Sequence, residues 1–195
     1  MGGHTTTEAD VTVLLRSRAE PDCFAELFER YFAGLHGYAS RRLDGPGGDD
    51  VAAETFLIAF RQRDRFDPER GSVRAWLYGI ATNLIRARRR EEAQGYLAYA
   101  RAAARPPDDP VHEERTTDRI AAEAARNGIV AALAGLSAGD RDALLLVVWG
   151  ELSHEETAAA LGIPVGTVGS RLHRARRKIR AALDDVNPTG GTRHG

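Results

Sequence analysis

At 195 residues, with 43% hydrophobic and 28% charged side chains, the chain has room for one or two small globular domains and is not disordered as a whole. No apolar run approaches the roughly 18 residues of a membrane span, and the first residues, MGGHTTTEAD, lack the basic and apolar regions of a signal peptide, so a cytoplasmic protein without membrane insertion is expected. Cys23 is the only cysteine, which excludes an internal disulfide and any multi-cysteine zinc site, and the net charge of −1 conceals strongly segregated charge.

Residues 1–9 read as a disordered N-terminus. A short helix is possible over Ala9 to Arg18, with Val11, Leu14 and Leu15 on one side. After Pro21, Asp22 can cap a longer helix reaching about Leu43. Its stripe of Phe24, Leu27, Phe28, Tyr31, Leu35 and Tyr38, at spacings of three and four, reads as a core face, with Cys23 partly buried beside it. The break DGPGG leads to a helix from Asp49 to Arg63, whose first-turn acids Asp49, Asp50 and Glu54 suit the positive end of the helix dipole.

A charged loop, Arg63 to Ser72, precedes a helix from Val73 to about Arg90. Val73, Trp76, Leu77, Ile80, Leu84 and Ile85 face inward; Arg74, Tyr78, Asn83 and Arg86 lie on the other side, and the helix ends in Arg88, Arg89 and Arg90. Cations beside aromatic side chains suit single-stranded nucleic acid: charge follows the backbone and aromatic surface holds an unstacked base.

Between Glu91 and Asp118, seven acids oppose only Arg101, Arg105 and Arg115, and Pro106, Pro107 and Pro110 interrupt any apolar period. This is a linker, residues 93–118, whose Ala-rich beginning could be helical. A second domain, residues 119–184, follows. Ile129, Val130, Leu133 and Leu136 end one helix; Ser137 with Asp140 caps the next, which closes at Gly150. Residues 185–195 read as a disordered tail.

The stretch from Leu152 to Leu183 carries the most information. Ser153 and Glu156 form a capping box; Gly162 and Pro164 end the helix it opens, and a second helix starts at Val165. Val165, Val168, Leu172, Ala175 and Ile179 make its buried stripe. Thr167, Ser170, His173, Arg174 and Arg177 are opposite, with Arg171 and Lys178 at the flanks. Six cations fall between positions 171 and 180 with no carboxylate among them. That is a helix-turn-helix, with Thr167, Ser170, Arg171 and Arg174 near base edges and Arg176, Arg177, Lys178 and Arg180 on the phosphate backbone. His154, Glu155 and Glu156 do not make a zinc helix, because Ala158 stands where the second histidine is needed. No metal, cofactor or catalytic residue is expected, and no enzyme motif is present.

GIPVGTVGSRLHRARRKIR resembles the second DNA-binding module of bacterial sigma factors of the sigma-70 family, in particular the extracytoplasmic-function group, and LAGLSAGDRDALLLVVWG resembles the helix before it. DDVAAETFLIAF is similar to the family's polymerase-gripping stretch, and VRAWLYGIATNLIRARRR, with the loop RFDPERG, to its promoter-melting segment. The resemblance implies an all-α protein of two small helical domains joined by a flexible linker, the first covering residues 10–92. It implies contact of Asp50, Glu54, Thr55 and Phe56 with the clamp helices of core RNA polymerase, a further contact with the polymerase flap, and minus-10 DNA held by Arg65, Phe66, Asp67, Trp76, Tyr78, Asn83 and Arg86. Thr167, Ser170, Arg171, His173, Arg174, Arg177 and Lys178 would read minus-35 DNA, and an inhibitory anti-sigma partner is implied. Three positions depart from the family pattern: Ala53 for glutamine, Ala87 for aspartate and Gly169 for lysine. The rival readings are a stand-alone helix-turn-helix regulator with an N-terminal sensing domain and an adaptor that does not read DNA.

Overall fold

The structure, a computed structural model, describes residues 3–43, 47–102 and 132–186, and every regular element among them is helical. Four helices build the first module: α1 (Gly3–Arg16), α2 (Ala25–Ser40), α3 (Gly47–Gln62) and α4 (Val73–Ala102). The second contains α5 (Ala138–Val148), α6 (His154–Leu161) and α7 (Val165–Val186). Helix α1 takes in most of the stretch expected to be disordered. Asp10 is buried where Arg30 and Tyr31 donate to its carboxylate, so α1 is anchored at its middle through a polar contact that apolar periodicity does not reveal.

Asp22 does not cap α2. It lies inside a 3-10 turn, Pro21–Phe24, which leads into the helix. Cys23 is half-buried there and accepts from Arg16 Nε at 3.0 Å. Of the expected stripe, Phe24, Leu27, Leu35 and Tyr38 are buried, but Phe28 is 41% exposed. It is turned outward and stacks on Phe32 at 4.8 Å. Helix α4 is continuous past Arg90 to Ala102, so the helical start of the linker is an extension of α4; residues 103–118 lie outside the described residues, as does most of the tail.

The turn geometry of the second module follows from its residue types. Ser137 accepts from Asp140 N at the start of α5, and Ser153 and Glu156 form the reciprocal capping box of α6. Gly162 closes α6 at φ 63°, a left-handed conformation that glycine adopts without a Cβ penalty. Val168, Leu172 and Ala175 of α7 are buried as expected, whereas Val165, the first residue of α7, is 44% exposed at the edge of a cleft.

The modules are packed together. Leu145 and Leu146 of α5 and Leu152 belong to the same buried cluster as Leu14, Leu35, Tyr38 and Leu77 of the first module. A smaller cluster, Leu136, Leu144, Ala158, Val168, Leu172 and Ala175, holds the helix-turn-helix together. Helix α6 lies against α4 at Gly79, where a Cβ would fall 2.7 Å from the Ala160 carbonyl oxygen. Glycine inside a helix costs about 1 kcal/mol relative to alanine; here it permits the two backbones to meet.

Candidate nucleic-acid and polymerase interface

The exposed side of α7 brings the expected minus-35 residues together. Thr167, Ser170, Arg171, Arg174, Arg177 and Lys178 recur at three- and four-residue spacing, so they share one face, with His173 at its edge. Several are positioned by intramolecular bonds. Arg174 forks onto Asp140 of α5, Nη2 to Oδ1 at 2.7 Å and Nε to Oδ2 at 3.2 Å, and that bond holds the Asp140 carboxyl below the usual carboxylate range. Arg171 donates to the Gly139 carbonyl at 3.4 Å and Lys178 to that of Gly135. The result is a cationic helix held at a fixed angle to α5.

Six of the seven expected minus-10 residues divide between two clefts, one on each side of the Gly79 contact along α4. Around the first, of about 640 Å³, lie Arg65, Phe66, Asp67 and Trp76, facing Pro164 and Val165 of the second module. Asp67 Oδ1 accepts from Glu69 N and caps the turn Pro68–Arg70, while the Phe66 ring packs against Trp76 at 5.2 Å. Trp76 is half-buried on the core, as its place on the inward stripe implies. The second cleft, of about 610 Å³, is lined by Asn83 and Arg86 together with Arg42, Arg90, Arg141 and Asp142.

Tyr78 departs from expectation. It stands on the face of α4 opposite the predicted core stripe, yet it is only 4% exposed: its ring packs edge-on against Tyr38 of α2 at 5.3 Å and Gly150 of the second module lies beside it, and burial pushes its hydroxyl pKa up. The periodicity of one helix cannot show that α2 and a second module both pack on this face.

On α3, Asp50 and Glu54 are exposed one turn apart, and Arg88 of α4 reaches both, at 3.3 and 3.7 Å. Thr55 and Phe56, expected beside them, are buried instead. They fall on the inward face with Val51, Ala52 and Ala59, and the buried Thr55 hydroxyl donates to the Val51 carbonyl at 2.7 Å. What the surface offers is Phe28, 41% exposed, with the half-buried Phe32, both rings packed on Phe56, and on α3 Leu57, 47% exposed. Sequence reasoning missed it because Phe28 fits the core stripe of α2.

Residues 27–94 match sigma-70 region 2, and residues 126–179 match sigma-70 region 4. The chain is 37% identical over 159 residues to the ECF RNA polymerase sigma factor EcfG of Rhodopseudomonas palustris, covering 79% of this chain and 78% of that one. The chain belongs to the extracytoplasmic-function sigma factors. It is also 37% identical over 173 residues to the RNA polymerase sigma factor CnrH of Cupriavidus metallidurans, covering 83% and 86% of the two chains. A solved structure of CnrH in complex with the cytosolic domain of CnrY superimposes with a TM-score of 0.62 at 28% identity, covering 91% of this chain and 98% of that one. This sigma factor is an initiation subunit that directs core RNA polymerase to promoters. The region 2 match accounts for the first module, so a stand-alone regulator with a sensing domain is not favoured. Among the described residues, no helix of this sigma factor is long and apolar enough to cross a membrane.

Proposed function

We propose a division of labour between the modules. The first, residues 10–92, takes the polymerase clamp helices on α2 and α3 through Asp50, Glu54 and the apolar patch of Phe28, Phe32 and Leu57. Exposed aromatic surface ringed by charge is the composition of a protein-binding hot spot. The α4 face and the loop before it, with Arg65, Phe66, Asp67, Trp76, Asn83 and Arg86, hold the melted minus-10 strand. Cations there track phosphate, and the part-exposed Trp76, backed by the buried Phe66, offers a surface for a base.

The second module, residues 119–184, lays α7 into the minus-35 major groove and docks on the polymerase flap. The shared exposed face of Thr167, Ser170, Arg171, Arg174 and Arg177 is the observation that carries this part. Residues 93–118 connect the two. The protein acts in the cytoplasm and performs no chemical step of its own; polymerase supplies the catalysis. An anti-sigma partner is also proposed, supported by the solved complex of the related CnrH with the cytosolic domain of CnrY.

Footprinting of the reconstituted holoenzyme tests the division. Thr167→Ala and Ser170→Ala should relax sequence preference at the upstream element, at about 1–3 kcal/mol for each base-specific interaction removed. Lys178→Ala should weaken binding at every sequence and lower the salt slope by about 0.9. Unchanged upstream protection in all three variants contradicts the assignment of α7.

A further inference from the structure

Gly166 and Gly169 stand in the first two turns of α7, and nothing inside the chain requires either. A Cβ built at Gly79 or Gly48 would strike neighbouring backbone, 2.7 Å from the Ala160 carbonyl oxygen and 2.8 Å from Ser40 Cα; built at Gly166 or Gly169 it meets no atom within 4 Å. Neither residue takes the left-handed backbone that favours glycine, as Gly162 does. Both positions are exposed. Glycine weakens a helix, because it gives up more backbone freedom on folding than any other residue. A glycine that weakens α7 and relieves no clash within the chain is explained by what meets the helix from outside.

The neighbours of Gly169 give α7 one tall edge and one low one. On the edge beside α5, the long side chains of Arg171, Arg174 and Lys178 are held by Gly139, Asp140 and Gly135. On the other, Gly169, His173, Arg176 and Arg180 follow at spacings of four, three and four, so this edge is bare where the helix begins and cationic further along. Ser170, between the two edges, folds its hydroxyl back onto the Gly166 carbonyl at 3.1 Å, which keeps the bare region low. The Gly169 N–H is committed to the helical ladder, so the surface shown there is a Cα–H group without a polar atom. A helix is about 10–12 Å across with its side chains and the major groove about 12 Å wide, so a missing side chain lets backbone approach the base edges. The apolar group on that floor is the C5-methyl of thymine. We propose that Gly169 is a specificity-determining position: it leaves the space in which a thymine methyl of the upstream element packs on bare α7 backbone, beside the base edge that Ser170 reads. The inference rests on the reading of α7 as the minus-35 helix and deepens it from a cationic surface to a preference for one base.

The test uses holoenzyme reconstituted from the full chain and core polymerase, competing for a labelled promoter fragment located by run-off transcription. Each thymine of the upstream element is replaced in turn by deoxyuridine, which removes the methyl group and leaves every hydrogen-bonding atom in place. At one position the replacement should weaken wild-type binding about fourfold, equivalent to about 0.8 kcal/mol for one buried carbon. Gly169→Ala puts a methyl group where the thymine methyl packs. Its binding to the thymine promoter should fall about tenfold, the scale of one mismatched base pair, and its preference for thymine over deoxyuridine at that position should vanish or reverse. The melting temperature of the free variant should rise by about 2–4 °C, because alanine is the better helix former, so the weaker binding does not come from a damaged fold. A lower melting temperature gives the glycine a role inside the fold and overturns the inference. Wild-type discrimination retained in Gly169→Ala overturns it, as does an upstream element in which no thymine responds to the replacement. Equal loss on the thymine and deoxyuridine promoters places the bare edge against sugar and phosphate and overturns it too. Ser170→Ala, assayed alongside, separates these results from a failure of the minus-35 reading: unchanged base preference there sinks that reading, whereas relaxed preference beside an indifferent Gly169→Ala sinks only the role of Gly169.

Discussion

Asp140 accepts both Nε and Nη2 of Arg174, fixing the recognition helix to the helix before it. The Arg174 side chain thus has a structural partner as well as a place on the DNA-facing surface. Because the bond lowers the Asp140 pKa, its stabilisation is fully present above the unfolded carboxylate value of about 4 and is lost as pH falls through the lower folded value. The Arg174 end is half-exposed, so solvent screens the pair and the effect on stability is small. The difference in melting temperature between wild type and Asp140→Asn should be constant from neutral pH down to about 5 and should shrink on further acidification. A difference that persists unchanged at low pH assigns the effect to something other than this carboxylate.

The capping box of α6 gives a sharper stability prediction. Ser153→Ala removes the acceptor for Glu156 N while leaving Glu156 its contacts with Ser72 and Arg74. A loss of about 1 kcal/mol, within a range of 0.5–2, is expected from urea unfolding. A loss of only a few tenths would mean that packing against α4, not the cap, sets where α6 begins.

Leu146 lies in the second module but is fully buried in the cluster centred on the first. Leu146→Ala should cost about 2–5 kcal/mol, the range for a large side chain deleted from a core. Since the modules share that cluster, calorimetry of the wild-type chain should show one cooperative transition. Two separate transitions, with the variant affecting only one, would contradict a shared core.

Leu57 is exposed and makes no contribution to either core cluster. Leu57→Ala should leave stability within about 0.5 kcal/mol of wild type. Its affinity for core polymerase should fall by roughly 1 kcal/mol or more, as for a truncated hot-spot residue. Unchanged affinity, measured by competition against a labelled wild-type chain, would move the polymerase contact away from this patch.

The local features of the fold are legible in the sequence. Ser153 with Glu156, Gly162 before Pro164, and Ser137 with Asp140 each act within a few residues, and each forms as its residue types dictate. Long-range features are not. Asp142 pairs with Arg42 across 100 positions, and nothing near either residue marks the other. Gly79 looks like an ordinary weak spot in a helix until Ala160 is seen against it. Phe28, Val165 and Tyr78 show the limit of periodicity: it finds the face a residue occupies, but the face is buried or bare according to what packs on it. For the candidate site, the α7 face is readable because charge and spacing coincide on one helix. Thr55 and Phe56 lie on the buried side of α3, which is not visible when their stretch is read as a unit, because its different sides point to surface and core.

The central claim is that this chain confers promoter selection on core polymerase through its two modules. Run-off transcription on a fragmented genomic library, with sigma-free core polymerase and each component omitted in turn, tests it most directly. Discrete start sites that require both proteins, with shared sequence elements upstream of them, are the predicted result. Duplex DNA binding by the chain alone, with no initiation gained by core polymerase, would contradict it.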